Sequence, residues 1–430
     1  MSAYEENLAD GLILRAVRDE QDVERYAAFN AAVFDAASGI TSAHLLHHHP
    51  EIGYDDFLLV EDEHTDEVVS TVCLIPWHCR YEDIVLDVAM LEMVATHPQY
   101  RHRGLIRAQV NRLHQMVTER RFDLSIIEGI PYYYRQYGYT YAIDHRASDS
   151  LPVWRIPNWC NGEACPYRMR QATPADAPVL TRFYQESMAA VQFHALRSLE
   201  YWRFLLQSAK YPTRVVEDRR NGCAVGYVCT TKLANRGIRV AENWITNHDA
   251  GMAVLQQLKA ESSGEIQLGW PQTSTLVQNG RSLGSVSLPV YQWLLHIPDV
   301  VRLLSKIGSV LERRVAASVF AGLTADVCIN LFREAFVLRF EKGRLLGVES
   351  AGFVDASMGA EGGDICIPPE AFVRLLFGYR SLDEMRDAWP DIVVKPERRH
   401  LVDVLFPKMT SYLCMPYMYC GPVTGSTAQS

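Results

Sequence analysis

The stretch from Val85 to Ile127 limits the possible folds more than any other part of the chain. Val85 to Thr96 is a long apolar run of strand character that ends in a turn at His97-Pro98. A basic loop, Arg101-His-Arg-Gly104, then enters a helix expected over Gly104 to Arg120, and a short apolar strand follows at Leu124 to Ile127. Strand, loop, helix and strand in that order call for a layered α/β arrangement. The loop also carries chemistry. Backbone N–H groups at a helix start are unpaired and sit at the positive end of the dipole, so such a start can receive a pyrophosphate. Gly104 removes a Cβ where backbone must come close to phosphates. Arg101, His102 and Arg103 add positive charge there, with Arg107 one turn on. Taken alone, the segment could also be a solvated basic helix start.

Around this segment, residues 12–150 alternate between strand and helix character. Leu12 to Val17 reads as a strand. Asp22 is expected to cap an amphipathic helix to Phe34. Phe57 to Val60 and Val68 to Ile75 make a hairpin across Glu61 to Glu67. Pro- and Trp-rich Leu151 to Cys165 reads as a linker packed by its tryptophans. After it, Tyr167-Arg-Met-Arg-Gln-Ala-Thr-Pro-Ala-Asp176 echoes Leu12-Ile-Leu-Arg-Ala-Val-Arg-Asp-Glu-Gln-Asp22, which suggests a duplicated domain. From Pro298 the pattern changes again: a helix over Val300 to Val319, strands over Val327 to Phe340 and Arg344 to Ser350, and helices over Pro369 to Phe377 and Leu382 to Trp389. Gly421 to Ser430 is small and polar, as loose ends are.

At 430 residues the chain suits about three domains. Hydrophobic residues at 48% and charged residues at 22% mark a folded globular protein. A net charge of −9 argues against a nucleic-acid partner and is compatible with a cationic substrate. No apolar run approaches the ~20 residues that span a bilayer. Glu5, Glu6 and Asp10 stand where a signal peptide needs basic and apolar residues. Ten cysteines without a C-x-x-C spacing suggest neither a disulfide framework nor a zinc ribbon, and fit a reducing cytoplasm.

A second signature follows the loop. Ile126-Ile-Glu-Gly-Ile-Pro-Tyr-Tyr-Tyr-Arg-Gln-Tyr-Gly-Tyr139 is a strand, a Pro131-started helical turn and a terminating Gly138. Strand, R-x-x-G loop, helix, strand, then Tyr-x-x-x-Gly-aromatic resembles the GNAT superfamily of acetyl-coenzyme A-dependent N-acetyltransferases. Ile106 departs from the small residue that many members carry. Over nearly its whole length the chain resembles the enhanced intracellular survival (Eis) branch. Arg103-Gly-Leu-Ile-Arg107, Arg197 to Trp202, Phe340-Glu-Lys-Gly-Arg-Leu and Leu375-Leu-Phe-Gly-Tyr-Arg-Ser381 carry that likeness.

The resemblance implies an α/β (α+β) chain of three units: a catalytic GNAT domain over 1–150, a degenerate GNAT-like domain over 151–297 and a sterol-carrier-protein-like α/β domain over 298–430. It implies that Val94, Ala95 and Thr96 meet the pantetheine amides. Residues His102, Arg103, Gly104, Leu105, Ile106 and Arg107 hold the pyrophosphate, and Gly129 and Ile130 lie against the cofactor arm. Tyr134 is the implied proton donor to the departing thiolate; packing in the cluster of Tyr132, Tyr133, Tyr137 and Tyr139 is its plainer alternative. The base is open between the terminal carboxylate of Ser430, Glu92, Glu128 and water. The acceptor is a small-molecule polyamine of aminoglycoside type or a lysine side chain, no metal takes part, and family members tend to form hexamers. A non-catalytic acyl-coenzyme A-sensing or lipid-binding protein is the alternative, and a tandem-GNAT aminoacyl transferase using charged tRNA is a further rival. His44, His47, His48 and His49 invite a metal reading, but they lack partners at recognised spacing and read instead as a solvated or substrate-lining loop.

Overall fold

The computed structural model describes residues 4–145, 148–158, 165–207, 212–233, 236–269, 273–356 and 359–414. The first unit runs β1 (Glu5–Asn7), β2 (Leu12–Ala16), α1 (Glu20–Val33), α2 (Ala36–His48), β3 (Phe57–Asp62), β4 (Glu67–Tyr81), β5 (Ile84–Thr96), α3 (Leu105–Glu119), β6 (Leu124–Ile127) and β7 (Thr140–His145). Strands β2 to β5 are antiparallel neighbours, and β5 pairs with β6 in parallel. One sheet face packs on α3 through Leu14, Val60, Leu74, Leu91, Val110 and Leu113. The other face joins the core that holds Tyr26, Leu45, Phe57, Ile75, Val88 and Met90.

The next stretch runs β8 (Ser148–Pro152), β9 (Tyr167–Gln171), α4 (Ala177–Met188), β10 (Phe193–Ala195), α5 (Leu199–Gln207), β11 (Thr213–Asp218), β12 (Ala224–Lys232), β13 (Ile238–Ile245), α6 (His248–Glu261), β14 (Glu265–Gly269), α7 (Thr275–Ser282), β15 (Val286–Ser287) and β16 (Tyr291–His296). Its sheet has the order β15-β8-β14-β13-β12-β11-β9. As in the first unit, three antiparallel steps lead to a parallel one, β13 beside β14. Sheet membership crosses the chain divisions. β8 joins the second sheet beside β14, whereas β16 returns to the first and lies between β6 and β7. β16, from the second stretch, thus completes the first sheet.

The last stretch runs α8 (Val300–Lys306), α9 (Gly308–Ala316), β17 (Ala325–Asn330), β18 (Ala335–Glu341), β19 (Arg344–Gly352), β20 (Ile365–Cys366), α10 (Pro369–Leu376), α11 (Leu382–Ala388), β21 (Val393–Val394), α12 (Arg399–Leu405) and β22 (Ser411–Tyr412). A third sheet has the order β19-β18-β17-β20-β21. β22 pairs with β10, which itself pairs with the end of β4, so the chain's last described strand rejoins the first sheet.

Several sequence expectations are corrected. Asp19, not Asp22, caps α1 by accepting from the Asp22 N–H. The histidine-rich stretch is the helix α2 rather than a loop; Asp35 caps it, and Gly39 lets it close on Ala27 and Ala31 of α1, where a Cβ would lie 2.7 Å away. The helix expected over 300–319 breaks at Ile307 into α8 and α9. The strand expected over 327–340 is two, split at a turn where Phe332 takes φ +67° and Asn330 Oδ1 accepts from its N–H. The start of the expected linker is β8. Trp154 does not pack it, being 74% exposed, and Trp159 lies outside the described residues.

Asp22 is freed from capping for another task. Arg15 on β2 meets Asp22 at 2.5 and 2.9 Å and Glu61 on β3 at 2.6 and 2.8 Å, with Arg15 and Asp22 both under 5% exposed. Burial alone would raise the Asp22 carboxyl, but the Arg15 guanidinium holds it below its ordinary value. The second unit repeats the triad: Arg170 on β9 meets Asp176 at 2.7 and 2.8 Å and Glu217 on β11 at 2.5 Å. The registers correspond. Arg15 lies opposite Leu59 and Arg170 opposite Val215, and each glutamate follows two residues later. The short sequence echo therefore marks the same ionic lock on the same strands.

The two locks differ in exposure, which gives a prediction. Asp22→Asn leaves a buried guanidinium half compensated and is expected to cost about 3 kcal/mol. Asp176→Asn faces an Arg170 side chain that is 35% exposed and is expected to cost about 1 kcal/mol or less. Urea midpoints of the two variants, compared at equal pH and salt, check the ranking; an equal or reversed order contradicts it.

Candidate active site

The site begins with a mismatch between β4 and β5. Cys73 faces Glu92 and Thr71 faces Ala95, so Val72 alone opposes both Met93 and Val94. This is a β-bulge, and Met93 takes φ +53°, a left-handed conformation unusual for a non-glycine residue. Buried side chains hold the bulge from both faces of the sheet. Thr71 Oγ1 lies 3.1 Å from the Met93 carbonyl and 2.9 Å from Asn30 Oδ1 of α1. Ser70 Oγ lies 2.7 Å from the Ala95 carbonyl and 2.7 Å from Gln109 Oε1 of α3.

The bulge turns β5 away from β6. The two strands pair only at Val88 with Leu124, Ala89 with Ser125 and Met90 with Ile126. From Leu91 to Thr96, β5 has no strand neighbour on that side among the described residues. Val94 and Thr96 are half-buried and Ala95 is buried on this open edge.

The basic loop follows directly. Pro98–Tyr100 is one 3-10 turn, His102 takes φ +66°, and Gly104 takes φ +79° as the N-cap of α3. No side chain caps that helix start, which leaves its first N–H groups uncapped. A Cβ on Gly104 would meet nothing within 4 Å, so glycine is required there by the left-handed backbone, before an open approach. Leu105 is buried and anchors the helix in the core, and Ile106 packs against the same cluster. Arg101, His102, Arg103 and Arg107 are exposed, and among the described residues none of the three arginines forms an ion pair. Arg103 lies 4.8 Å over the Tyr100 ring, and Arg107 lies 5.5 Å from Tyr137 and donates to Gln136 Oε1 at 3.1 Å.

Tyr134 lies where β5 and β6 part. It is 5% exposed and shares one apolar cluster with Leu91 and Ile127, with Val94 and Ile106 packed against it. It sits in the 3-10 turn Tyr133–Tyr137, which starts two residues after Pro131 because Tyr132 takes φ +68°. Burial first, then the Glu92 carboxylate and the neighbouring tyrosines, hold its phenol far above the ordinary value. Glu92 also raises the buried Cys73 thiol across the bulge, after burial itself. Its carboxylate therefore acts on both sides of the parted strands. Glu128 is half-buried at the end of β6, Ile130 is 64% exposed, and Ser430 lies outside the described residues. Gly129 is buried for a reason within the protein: a Cβ there would lie 2.1 Å from Tyr134 Cδ2. The missing side chain makes room for the tyrosine ring.

Sequence reasoning missed Ser70, Thr71, Asn30 and Gln109, since isolated polar residues in apolar runs give no pattern. It also missed a histidine pair behind the tyrosine turn. His114 of α3 stacks on His296 of β16 at 4.7 Å, and His114 Nε2 lies 3.3 Å from the Tyr139 hydroxyl, which is 2.7 Å from Ser125 Oγ. The four histidines of residues 44–49 are separate from all this. His44 and His49 pack on Phe204, and among the described residues no group of three or more potential ligands is arranged for a metal.

Residues 14–142 match the family described as an acetyltransferase (GNAT) domain. No curated protein sequence matches the chain. Among solved structures it is similar to a conserved protein of unknown function from Enterococcus faecalis, described as a probable N-acyltransferase. The TM-score is 0.67 at 14% identity, over 94% of this chain and 99% of that one. It is likewise similar to a GCN5-related N-acetyltransferase from Anabaena variabilis (TM-score 0.67, 13% identity, 94% and 99% covered). Eis1 from Mycobacterium abscessus follows (TM-score 0.59, 15% identity, 93% and 98% covered). At these identities the likeness is one of fold, extending over nearly the whole of each chain.

Two predictions follow from the packing. Gly129→Ala must push the Tyr134 ring aside, and such overpacking is expected to cost about 2 kcal/mol of stability; urea midpoints of the variant and the parent chain check it. His114 is held down to about 4 by burial first and by His296 second. A histidine lowered from ~6.5 contributes stability that is present above that value and lost as pH falls towards 4. His114→Gln is therefore expected to flatten the stability profile over that window, as measured by urea midpoints from pH 7 to pH 4.

Proposed function

With residues 14–142 a GNAT acetyltransferase domain, we propose that this acyltransferase moves an acetyl group from acetyl-coenzyme A directly to a primary amine. The reading rests most on one observation: the open edge of β5, Leu91 to Thr96, leads straight into an uncapped helix start beside three arginines that form no ion pair among the described residues. An edge strand can accept an amide-bearing arm as an added strand, and a helix start with nearby guanidinium groups suits a pyrophosphate. In this reading Val94, Ala95 and Thr96 meet the pantetheine. His102, Arg103, Gly104, Leu105, Ile106 and Arg107 meet the diphosphate, and Ile130 borders the arm. Gly129 contributes by seating Tyr134.

The neutral amine attacks the thioester carbonyl carbon, a C–N bond forms, the C–S bond breaks, the nitrogen loses a proton and the sulfur gains one. Tyr134 is the proposed donor to the sulfur. The candidate bases are Glu92, Glu128, the Ser430 carboxylate and water. The acceptor class is a polyamine or a lysine side chain. The proposal extends to the rest of the chain. The repeated strand order and ionic lock support a second, degenerate GNAT-like unit, and the third sheet is the proposed sterol-carrier-protein-like unit. A cytoplasmic location and hexameric assembly belong to the same reading, on resemblance alone.

Tyr134→Phe is expected to slow thiol release from acetyl-coenzyme A by about 10²-fold or more, with acetyl-coenzyme A affinity by calorimetry nearly unchanged. Unaltered turnover removes Tyr134 from the mechanism. Tight binding without thiol release for any member of a polyamine and lysine-peptide panel would instead indicate a non-catalytic sensor.

A further inference from the structure

The Tyr134 segment has an unusual path. β6 and β7 each run antiparallel to β16, so they are parallel to one another with β16 between them. The chain leaving β6 at Ile127 must travel back to enter β7 at Thr140, and it crosses β16 to do so. Leu294 of β16 packs in the same cluster as Tyr134 and Tyr139 beneath this crossover. The crossover supplies little regular structure of its own. Its one 3-10 turn starts after a left-handed Tyr132 and ends at Gly138 with φ +83°.

β16 holds both ends. The Tyr291 hydroxyl donates to the Gly129 carbonyl. At the far end His296 Nδ1 lies 3.4 Å from the Gly138 carbonyl, and the ring stacks on His114. A third tether, from the Tyr132 N–H to the Tyr141 hydroxyl at 3.0 Å, depends indirectly on the same strand, because the Tyr141 ring packs edge-on against Tyr291. The two β16 residues reach across 162 and 158 positions of sequence.

We propose that Tyr291 and His296 are positioning residues for Tyr134: β16 clamps the crossover at Gly129 and Gly138 and so fixes the phenol at the mouth of the parted strands. This rests on the reading of Tyr134 as the proton donor.

The test pairs kinetics with amide exchange. Tyr291→Phe keeps the ring and removes the donor. It is expected to lower kcat for acetyl-coenzyme A with an amine panel by about 10-fold, with KM for acetyl-coenzyme A within about twofold. Amide exchange over residues 130–138 is expected to quicken by about 10-fold while the rest of the sheet keeps its protection. His296→Leu is expected to do the same, and His296→Asn, which restores a donor, to recover most of the loss. On a Tyr134→Phe background, Tyr291→Phe is expected to add nothing. Additive losses, or unchanged exchange over 130–138, overturn the clamp. If Tyr134→Phe alone leaves turnover intact, the proton-donor reading fails instead, and the exchange data still decide whether β16 holds the segment.

Discussion

Everything in this chain's site depends on two parallel strands that stop pairing after three residues. Backbone groups on a sheet edge are costly to leave unmade in an interior and prone to pair with strangers when exposed. β5 and β6 nevertheless separate at Met90 and Ile126, because the bulge at Met93 and Val94 bends β5 outward. A left-handed methionine is strained, and it persists because buried Thr71 and Ser70 fix its surroundings from α1 and α3. The edge is thus kept open by the packing of the whole unit rather than by local preference. It is also short, running from Leu91 to Thr96, and is followed by cationic side chains that discourage strand addition by a neighbour.

The return of β16 to the first sheet answers the same constraint. A sheet parted at its centre loses cross-strand pairs there, and β16 restores continuity on the far side of β6 by joining it to β7. It also gives the Tyr134 segment a floor. In the second sheet β8 occupies the corresponding place beside β14. In the second sheet β13 and β14 likewise pair over three residues, but no basic glycine loop follows β13 before α6. The same scaffold is present there without the basic loop of the first sheet.

The legible parts of the fold were those with local causes. The loop between β5 and α3, the length of β6 and the β3–β4 hairpin could be read from residues whose periodicity and turn chemistry act over a few positions. The echo of Arg15 and Asp22 in Arg170 and Asp176 was legible as a pattern, although its cause, a strand-to-helix ion lock, needed Glu61 and Glu217 from neighbouring strands. Elements that rest on distant partners were not legible. α2 depends on Gly39 fitting against α1. The break at Ile307 falls in a segment of helical composition. β16 looks like any short strand, and nothing in Tyr291 or His296 announces that they meet Gly129 and Gly138. The space beside Gly129 is filled by the Tyr134 ring, a contact that no local pattern announces.

The environment of Tyr134 also restricts what it can do. An ordinary phenol, pKa ~10, already gives up its proton uphill to a thiolate whose thiol has pKa ~8.5. Burial and the Glu92 carboxylate make that transfer steeper still. A fully ionised Tyr134 is therefore the wrong picture of its action. In the proposed reading the phenol hydrogen-bonds to the sulfur as negative charge grows there and passes its proton on only as the C–S bond breaks, and such preorganised donors stabilise developing charge without reorganising. In that reading the proton that reaches the sulfur is balanced by the one the attacking nitrogen releases, so Tyr134 ends the reaction protonated. Precise placement then matters more than acidity, and that is why a turn with so little structure of its own is fixed at both ends by a strand from another part of the chain.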